Sequence, residues 1–195
     1  MRRIALTLAV AGLAVALTAC GGTSVKTSPD STTQASVPAA TATSVAAAST
    51  PTSTKPTVAH IGDTITLHGS DPGLAVAVTV VAWNANAHGA DEFTTPSKGK
   101  RFVAAQFKLV NTGSAVYSDS PSNGAQVADS QGQRFSSTFA EISAGPSMSS
   151  NVNLRPGDMA LGWIPFEVPI SSTISTVQFA LDSGFADQVG EWSVK

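Results

Sequence analysis

Residues 74–83 read LAVAVTVVAW, and this stretch says more about the fold than any other part of the chain. Valine and alanine occupy both sets of alternating positions, a pattern typical of a central strand that is covered on both faces. A turn-forming sequence, SDPG at residues 70–73, comes directly before it. Residues 61–68 alternate apolar and polar side chains, which predicts a half-buried neighbouring strand. The stretch therefore predicts a β-sheet.

The strand pattern continues to the end of the chain. One face of residues 101–111 is apolar: Val103, Ala105, Phe107 and Leu109. Further strands are predicted at 116–118, 126–129, 159–168, 176–181 and 191–194, with turns at 130–133 (SQGQ) and 155–158 (RPGD). No segment keeps a helical period, so residues 58–195 predict an all-β domain, a sandwich of about seven to eight antiparallel strands. Its expected large core side chains are Phe107, Phe166, Phe179 and Trp83.

The N-terminus has the pattern of an export signal. Arg2 and Arg3 are followed by an apolar run, residues 4–17, which is shorter than the roughly 20 residues of a membrane-spanning helix. The sequence Leu17-Thr18-Ala19-Cys20 then resembles the lipobox of bacterial lipoproteins. Small residues at 18 and 19 admit the signal peptidase, and the Cys20 thiol accepts a diacylglyceryl group. We therefore expect residues 1–19 to be removed and Cys20 to be acylated.

Residues 20–57 predict a disordered tether. They are rich in serine, threonine, alanine and proline and contain no aromatic side chain, so they cannot bury enough apolar surface to offset the entropy of ordering. Lipidation uses the single cysteine of the chain, which excludes a disulfide or thiolate chemistry in the domain. Removal of the signal leaves nine basic against 13 acidic side chains, a formal net charge of −4, which disfavours nucleic acid as a partner.

Several short motifs of the domain match a known family. They are IGDT at 61–64, GKRFV at 99–103, VNTG at 110–113, Asp129, Gly132, Phe135, LRPGD at 154–158 and FEVP at 166–169. In this order the chain resembles a domain of unknown function found in Gram-positive and actinobacterial surface lipoproteins. The resemblance implies an extracellular, immunoglobulin-like β-sandwich related to secreted mycobacterial-type immunogenic antigens, and it implies no reaction. Residues 84–98 and 136–153 match this pattern least, so features specific to this protein are expected there.

The chain carries no motif of a catalytic or metal site. The three histidines are His60, His68 and His88, and the loop that follows His88 contains two adjacent acids, Asp91 and Glu92. That loop has no metal-ligand spacing and is typical of solvated surface. No GxSxG elbow or phosphate-binding glycine loop occurs, and no serine is tied by spacing to a histidine and an acid. We expect no enzymatic activity, no cofactor and no metal.

Three apolar residues are candidates for a partner contact. If Ile164 faces the core, strand alternation places Leu161 and Trp163 together on the opposite face. An exposed tryptophan beside a leucine is typical of a binding surface. The alternatives are a bulge at Gly162 and Pro165 that switches the register, or a loop that covers Trp163. Phe93, within a long polar loop, is the third candidate, with simple disorder of that loop as its alternative.

These observations favour a lipid-anchored envelope protein that presents its domain as a binding module. We expect it to contact the lipid bilayer through acylated Cys20, at the outer face of the cytoplasmic membrane or the cell surface. The second expected partner is an envelope protein. The alternatives are an envelope enzyme or accessory subunit, and a carrier of an apolar ligand, which would need an internal cavity.

Overall fold

The computed structural model describes residues 58–195 and places the valine-rich stretch in a long strand at the centre of a sheet. The strands in chain order are β1 (Ala59–His60), β2 (Thr64–His68), β3 (Ala75–Ala87), β4 (Lys100–Asn111), β5 (Tyr117–Asp119), β6 (Ala125–Asp129), β7 (Arg134–Ser136), β8 (Val152–Leu154), β9 (Met159–Pro169), β10 (Ile174–Ala180) and β11 (Val189–Ser193). One short helix, α1 (Pro121–Gly124), precedes β6, and a 3-10 turn (Asp182–Gly184) follows β10. The predicted all-β sandwich is confirmed, with more strands than expected.

The strands form two facing sheets and a small ribbon. The first sheet has the order β1-β11-β10-β6-β7 and the second the order β2-β3-β4-β9, while β5 pairs with β8. All pairings are antiparallel except that between β1 and β11, which is parallel. Among the described residues no helix is long and apolar enough to cross a membrane.

The core lies between the two sheets. Phe107 of β4 and Phe179 of β10 meet there, with ring centroids 5.2 Å apart, and Phe166 is also fully buried. These three core predictions are confirmed, whereas Trp83 is only half-buried. The largest fully buried side chain is Trp192, whose Nε1 donates a hydrogen bond of 3.0 Å to the carbonyl of Asp63. The alternation of β11 was visible in the sequence, but which of its side chains enters the core depends on packing across the sandwich.

The chain changes sheets at both sides of the sandwich. On one side β1 pairs in the first sheet and β2 in the second, and Gly62 makes the turn between them with φ of +100°. On the other side the chain leaves β7 and continues as residues 137–151, which we call the covering loop. This loop hydrogen-bonds to the free edge of β9: Thr138 N–H donates to the carbonyl of Pro165 (2.9 Å), and Met148 N–H to that of Trp163 (2.8 Å). The edge of β9, one of the two outer strands of the second sheet, is thereby protected.

The register of β9 shows why Gly162 and Pro165 occur there. The strand pairs with β4 without interruption from Met159 to Pro169, so the interpretation of these residues as a bulge was wrong. Pro165 accepts a bond from the covering loop on its outer edge, where its missing N–H breaks no ladder bond to β4. A Cβ on Gly162 would lie 2.4 Å from the Met148 Cα. Both residues therefore serve the close approach of the covering loop.

Candidate functional site

The outer face of the second sheet is partly covered. By the pairing of β4 with β9, Leu161 lies beside Lys108 and Trp163 beside Gln106, so both point away from the main core, as expected. Leu161 is 51% exposed, but Trp163 is only 8% exposed. The covering loop packs over Trp163 and forms a second apolar cluster on this face: Ala87, Phe102, Ala104, Ile142 and Trp163. Trp163 as an exposed partner contact is therefore wrong, and the alternative that a loop covers this side chain is the one the structure has. A partner contact at Leu161 stays a prediction.

Two long segments lie against each other: residues 84–98 and residues 136–153, which match the family motifs least. Ser143 N–H donates to the carbonyl of His88 (3.0 Å) and Ala90 N–H to that of Glu141 (2.9 Å), which joins the β3–β4 loop to the covering loop. Gly89 forms a β-bridge with Ile142. A Cβ on Gly89 would lie 1.8 Å from the carbonyl oxygen of Thr94, so this turn requires glycine. That the features specific to this protein lie in these segments stays a prediction.

Phe93 stands on the β3–β4 loop and is 84% exposed. Asp91 orders the loop around it, because its Oδ1 accepts bonds from the Phe93 N–H (3.0 Å), the Thr94 N–H (2.8 Å) and the Thr94 hydroxyl (2.9 Å). The bond from the Thr94 hydroxyl, with the two backbone bonds, holds the pKa of Asp91 below its ordinary value. Phe93 is therefore presented on a turn with defined hydrogen bonds, and its role as a partner contact stays a prediction.

A groove of about 540 Å³ runs beside the covering loop. Its floor consists of three buried apolar residues, Met148, Trp163 and Pro165. One wall is α1 with the residue before it, and the other is the covering loop. Phe139, on the covering loop, stands at the groove and is 99% exposed. This volume lies within the roughly 300–1,000 Å³ of ligand pockets in proteins. The groove is therefore a candidate binding site.

The rim of the groove is polar and nearly uncharged. Asn123 and Asn151 line it from opposite segments, together with hydroxyl groups of serine and threonine. Ser120 Oγ and Asn151 Oδ1 form a hydrogen bond of 2.9 Å, so the donor that Asn151 can offer a ligand is its Nδ2 group. Glu141 is the one charged side chain that lines the groove, and it is exposed. The site thus combines an apolar floor, one free aromatic ring and amide, hydroxyl and carboxylate groups.

A polar cluster holds the α1 wall in position. Asp119, just before α1, accepts bonds from the Ser183 hydroxyl (2.6 Å), the Ser183 N–H (2.9 Å) and the Tyr117 hydroxyl (3.1 Å). Burial of Tyr117, and then the charge of Asp119, raise the pKa of its hydroxyl above the ordinary value. Asp182 and Ser183 both have positive φ, 54° and 56°, a conformation that costs energy in non-glycine residues. The bonds to Asp119 offset that strain and fix this side of the groove.

The other residues considered in the sequence are the three histidines, which do not line the groove, and the lipobox. Within residues 58–195 no three His, Cys, Asp or Glu side chains are grouped closely enough to hold a metal ion. His60, His68 and His88 are all exposed. The lipobox residues Leu17, Thr18 and Ala19, the acceptor Cys20, and the predicted signal and tether (1–19 and 20–57) lie outside the described residues.

The sequence indicated the segment of the groove but not its residues. Phe139 is the single aromatic residue between Phe135 and Trp163, in a stretch of small and polar side chains. That isolation was the available signal, and it resembles the isolation of Phe93, which the sequence did single out. Met148 and Glu141 carry no such signal, because their place in the groove depends on how the covering loop crosses β9.

The fold and the site together define the protein's class: an all-β sandwich domain with a surface groove between a short helix and a long covering loop. More particularly, the chain belongs to the DUF4352 family, a domain of unknown function, whose family model matches residues 70–189. The resemblance to a domain of unknown function is thereby confirmed.

Solved structures share the fold. The chain is similar to MPT63, a secreted protein from Mycobacterium tuberculosis, with 17% sequence identity, a TM-score of 0.51, and coverage of 72% of this chain and 99% of MPT63. It is also similar to the YjhA protein from Bacillus subtilis, with 13% identity, a TM-score of 0.51, and coverage of 71% of this chain and 100% of YjhA. At such identities the similarity establishes the fold and no activity. A comparison with curated proteins gave no match.

Proposed function

We propose that the protein is a lipid-anchored envelope protein that uses its β-sandwich as a binding module, with the groove at Phe139 as the contact site. The observation that carries this proposal is the exposure of Phe139, 99%, at the mouth of a groove with an apolar floor. A phenylalanine ring in water is unfavourable by about 1.5–3 kcal/mol relative to a buried one. Exposed aromatic rings beside pockets are common centres of binding energy in protein contacts.

The proposed anchor is a diacylglyceryl group on Cys20. The lipobox Leu17-Thr18-Ala19-Cys20 supports it, and the exported location agrees with the similarity to MPT63, a secreted protein. Each buried methylene contributes about 0.8 kcal/mol, so two or more acyl chains would hold the protein on the outer face of the cytoplasmic membrane. Residues 20–57 would act as the tether that keeps the domain away from the lipid headgroups.

Mass spectrometry of the protein extracted from membranes tests the anchor. The N-terminal peptide should begin at Cys20 and carry the mass of a diacylglyceryl group. A Cys20→Ala variant should be retained with its signal or be released without lipid. An unmodified Cys20 in the native protein would end the proposal of a lipid anchor.

Site-specific photo-crosslinking in intact cells tests the contact site. A benzophenone amino acid in place of Phe139 should form adducts with envelope material. The matched control is the same replacement at Phe185, which is 86% exposed on another loop. Adducts at position 139 and none at 185 would support the proposal. Equal labelling at both positions, or none at 139, would contradict it.

The groove favours binding over catalysis. Among the described residues its one titratable lining side chain, Glu141, is exposed, and neither a serine–histidine–acid arrangement nor a pair of carboxylates lines the groove. The rival proposal of an envelope enzyme or accessory subunit would gain if a hydrolytic activity were found that is lost in Glu141→Gln. The carrier of an apolar ligand is disfavoured by packing, since Phe107 and Phe179 fill the space between the sheets.

A further inference from the structure

The groove beside the covering loop has the chemistry of a sugar site. We propose that it binds an uncharged oligosaccharide, with a pyranose ring stacked on Phe139 and its hydroxyl groups bonded to the polar rim. This inference rests on the proposed binding function and specifies its ligand. A pyranose ring has an apolar face of C–H groups and an edge of hydroxyl groups, so it needs an aromatic platform and polar partners in the same place.

The residues at the groove supply both. Phe139 is exposed enough for a ring to lie against its face, and Met148, Trp163 and Pro165 give an apolar floor. Asn151 offers its Nδ2 donor, since its Oδ1 is already bonded to Ser120 (2.9 Å). Glu141 offers carboxylate oxygens that accept from hydroxyl groups. Donors and acceptors therefore surround an apolar centre, and a sugar can satisfy all of them.

Charge argues against anionic ligands. Among the residues that line the groove there is no lysine or arginine, and the one charge is the carboxylate of Glu141. A phosphate, a nucleic acid or an acidic glycan would meet repulsion with no compensating cation. An entirely apolar ligand is also disfavoured, because it would desolvate the amide and hydroxyl groups of the rim without replacing their hydrogen bonds.

An extended peptide is the main competitor, and the backbone argues against it. Peptides often bind by adding a strand to a free sheet edge. The edge of β9 beside the groove is already occupied, since Trp163 N–H donates to the carbonyl of Pro146 (3.0 Å) and Met148 N–H donates to that of Trp163 (2.8 Å). Recognition of a proline-rich segment uses grooves lined with aromatic rings, and this groove has a single exposed one, Phe139.

Isothermal titration of the full-length protein with sugars tests the inference. The protein is kept in micelles of a detergent without a sugar headgroup, and the probes are triacetylchitotriose, cellotriose and maltotriose. At least one should bind, and Phe139→Ala should weaken its association constant by about tenfold or more. Phe139→Tyr should retain binding. Phe185→Ala, at an exposed phenylalanine elsewhere, should leave the constant unchanged.

Two further titrations distinguish an uncharged sugar from a charged sugar and from a peptide. A trisaccharide that carries a carboxylate should bind more weakly than its uncharged counterpart, and equal binding would contradict the role of Glu141. A synthetic peptide of residues 43–57, which contains Pro51 and Pro56, represents the peptide competitor, and binding of this peptide that is lost in Phe139→Ala would overturn the inference. If no sugar binds, or if sugar binding is the same in Phe139→Ala, the inference is overturned. In that event adducts from the photo-crosslinking at position 139 would still leave the proposed binding function standing.

Discussion

Replacement of Trp163 by alanine should reduce the free energy of unfolding by about 3 kcal/mol. A buried tryptophan covers roughly 150–250 Å², and at about 25 cal/mol per Å² its burial contributes about 4–6 kcal/mol. Part of this is recovered, because the covering loop that packs on Trp163 has irregular backbone and can collapse into the space. Trp163 is 8% exposed, whereas Leu161, on the same face, is 51% exposed, so Leu161→Ala should cost less than about 1 kcal/mol.

Urea-induced unfolding followed by far-ultraviolet circular dichroism measures both changes. The midpoint should fall strongly for Trp163→Ala and little for Leu161→Ala, with the same dependence on urea in both variants. Amide hydrogen exchange adds a local readout, since Thr138 and Met148 donate to β9 and should lose protection in the tryptophan variant. Equal losses in the two variants, or a loss below about 1 kcal/mol for Trp163→Ala, would refute the covered position of this side chain.

Three further predictions follow from single contacts. Gly162→Ala should lower the melting temperature in calorimetry through a loss of about 2 kcal/mol, because its Cβ would lie 2.4 Å from the Met148 Cα; an unchanged melting temperature would contradict that close approach. The pKa of Glu167 is lowered from 4.5 to about 2, mainly by the hydrogen bond from the Ser97 N–H. The ionised carboxylate therefore stabilises the fold in full above pH 4.5, and this contribution is lost as the pH falls through about 2. Because Glu167 is only partly buried and its ion-pair partner Lys100 is exposed, the effect should stay below about 1 kcal/mol. Glu167→Gln should flatten acid unfolding over that window, and an identical acid profile would count against it. Trp192→Phe should cost about 1–2 kcal/mol in urea unfolding through its lost 3.0 Å bond to a backbone carbonyl, and full stability would show that bond to be dispensable.

Local patterns in the sequence were enough to predict the sandwich. In β4, Val103, Ala105, Phe107 and Leu109 share one face, with Gln106 and Lys108 on the other, and all four apolar residues are fully buried. Alternation with a period of two depends only on the strand itself, so it can be read before the partner strands are known. The turns at residues 130–133 and 155–158 were predictable for the same reason, since glycines with positive φ occupy both.

The groove could not be predicted in this way. It depends on the covering loop, whose hydrogen bonds reach β9 and the β3–β4 loop, both distant in the chain. Gly162 and Pro165 showed that something unusual happens in β9, but the sequence could not distinguish a bulge from the close approach of another segment. The sequence does not indicate the place of Phe139, because an isolated aromatic residue in a polar stretch can be exposed or buried, and only the path of the loop decides.

Hydrogen exchange of the anchored protein on isolated cell envelopes tests the central claim, that the groove at Phe139 is the contact site of an envelope binding module. The reference is the same protein reconstituted in vesicles of envelope lipid without other envelope components. We predict that envelopes slow exchange in residues 121–124 and 137–151, and that Phe139→Ala removes this protection. Unchanged exchange in these segments, or protection confined to the exposed face around Leu161, would contradict the account.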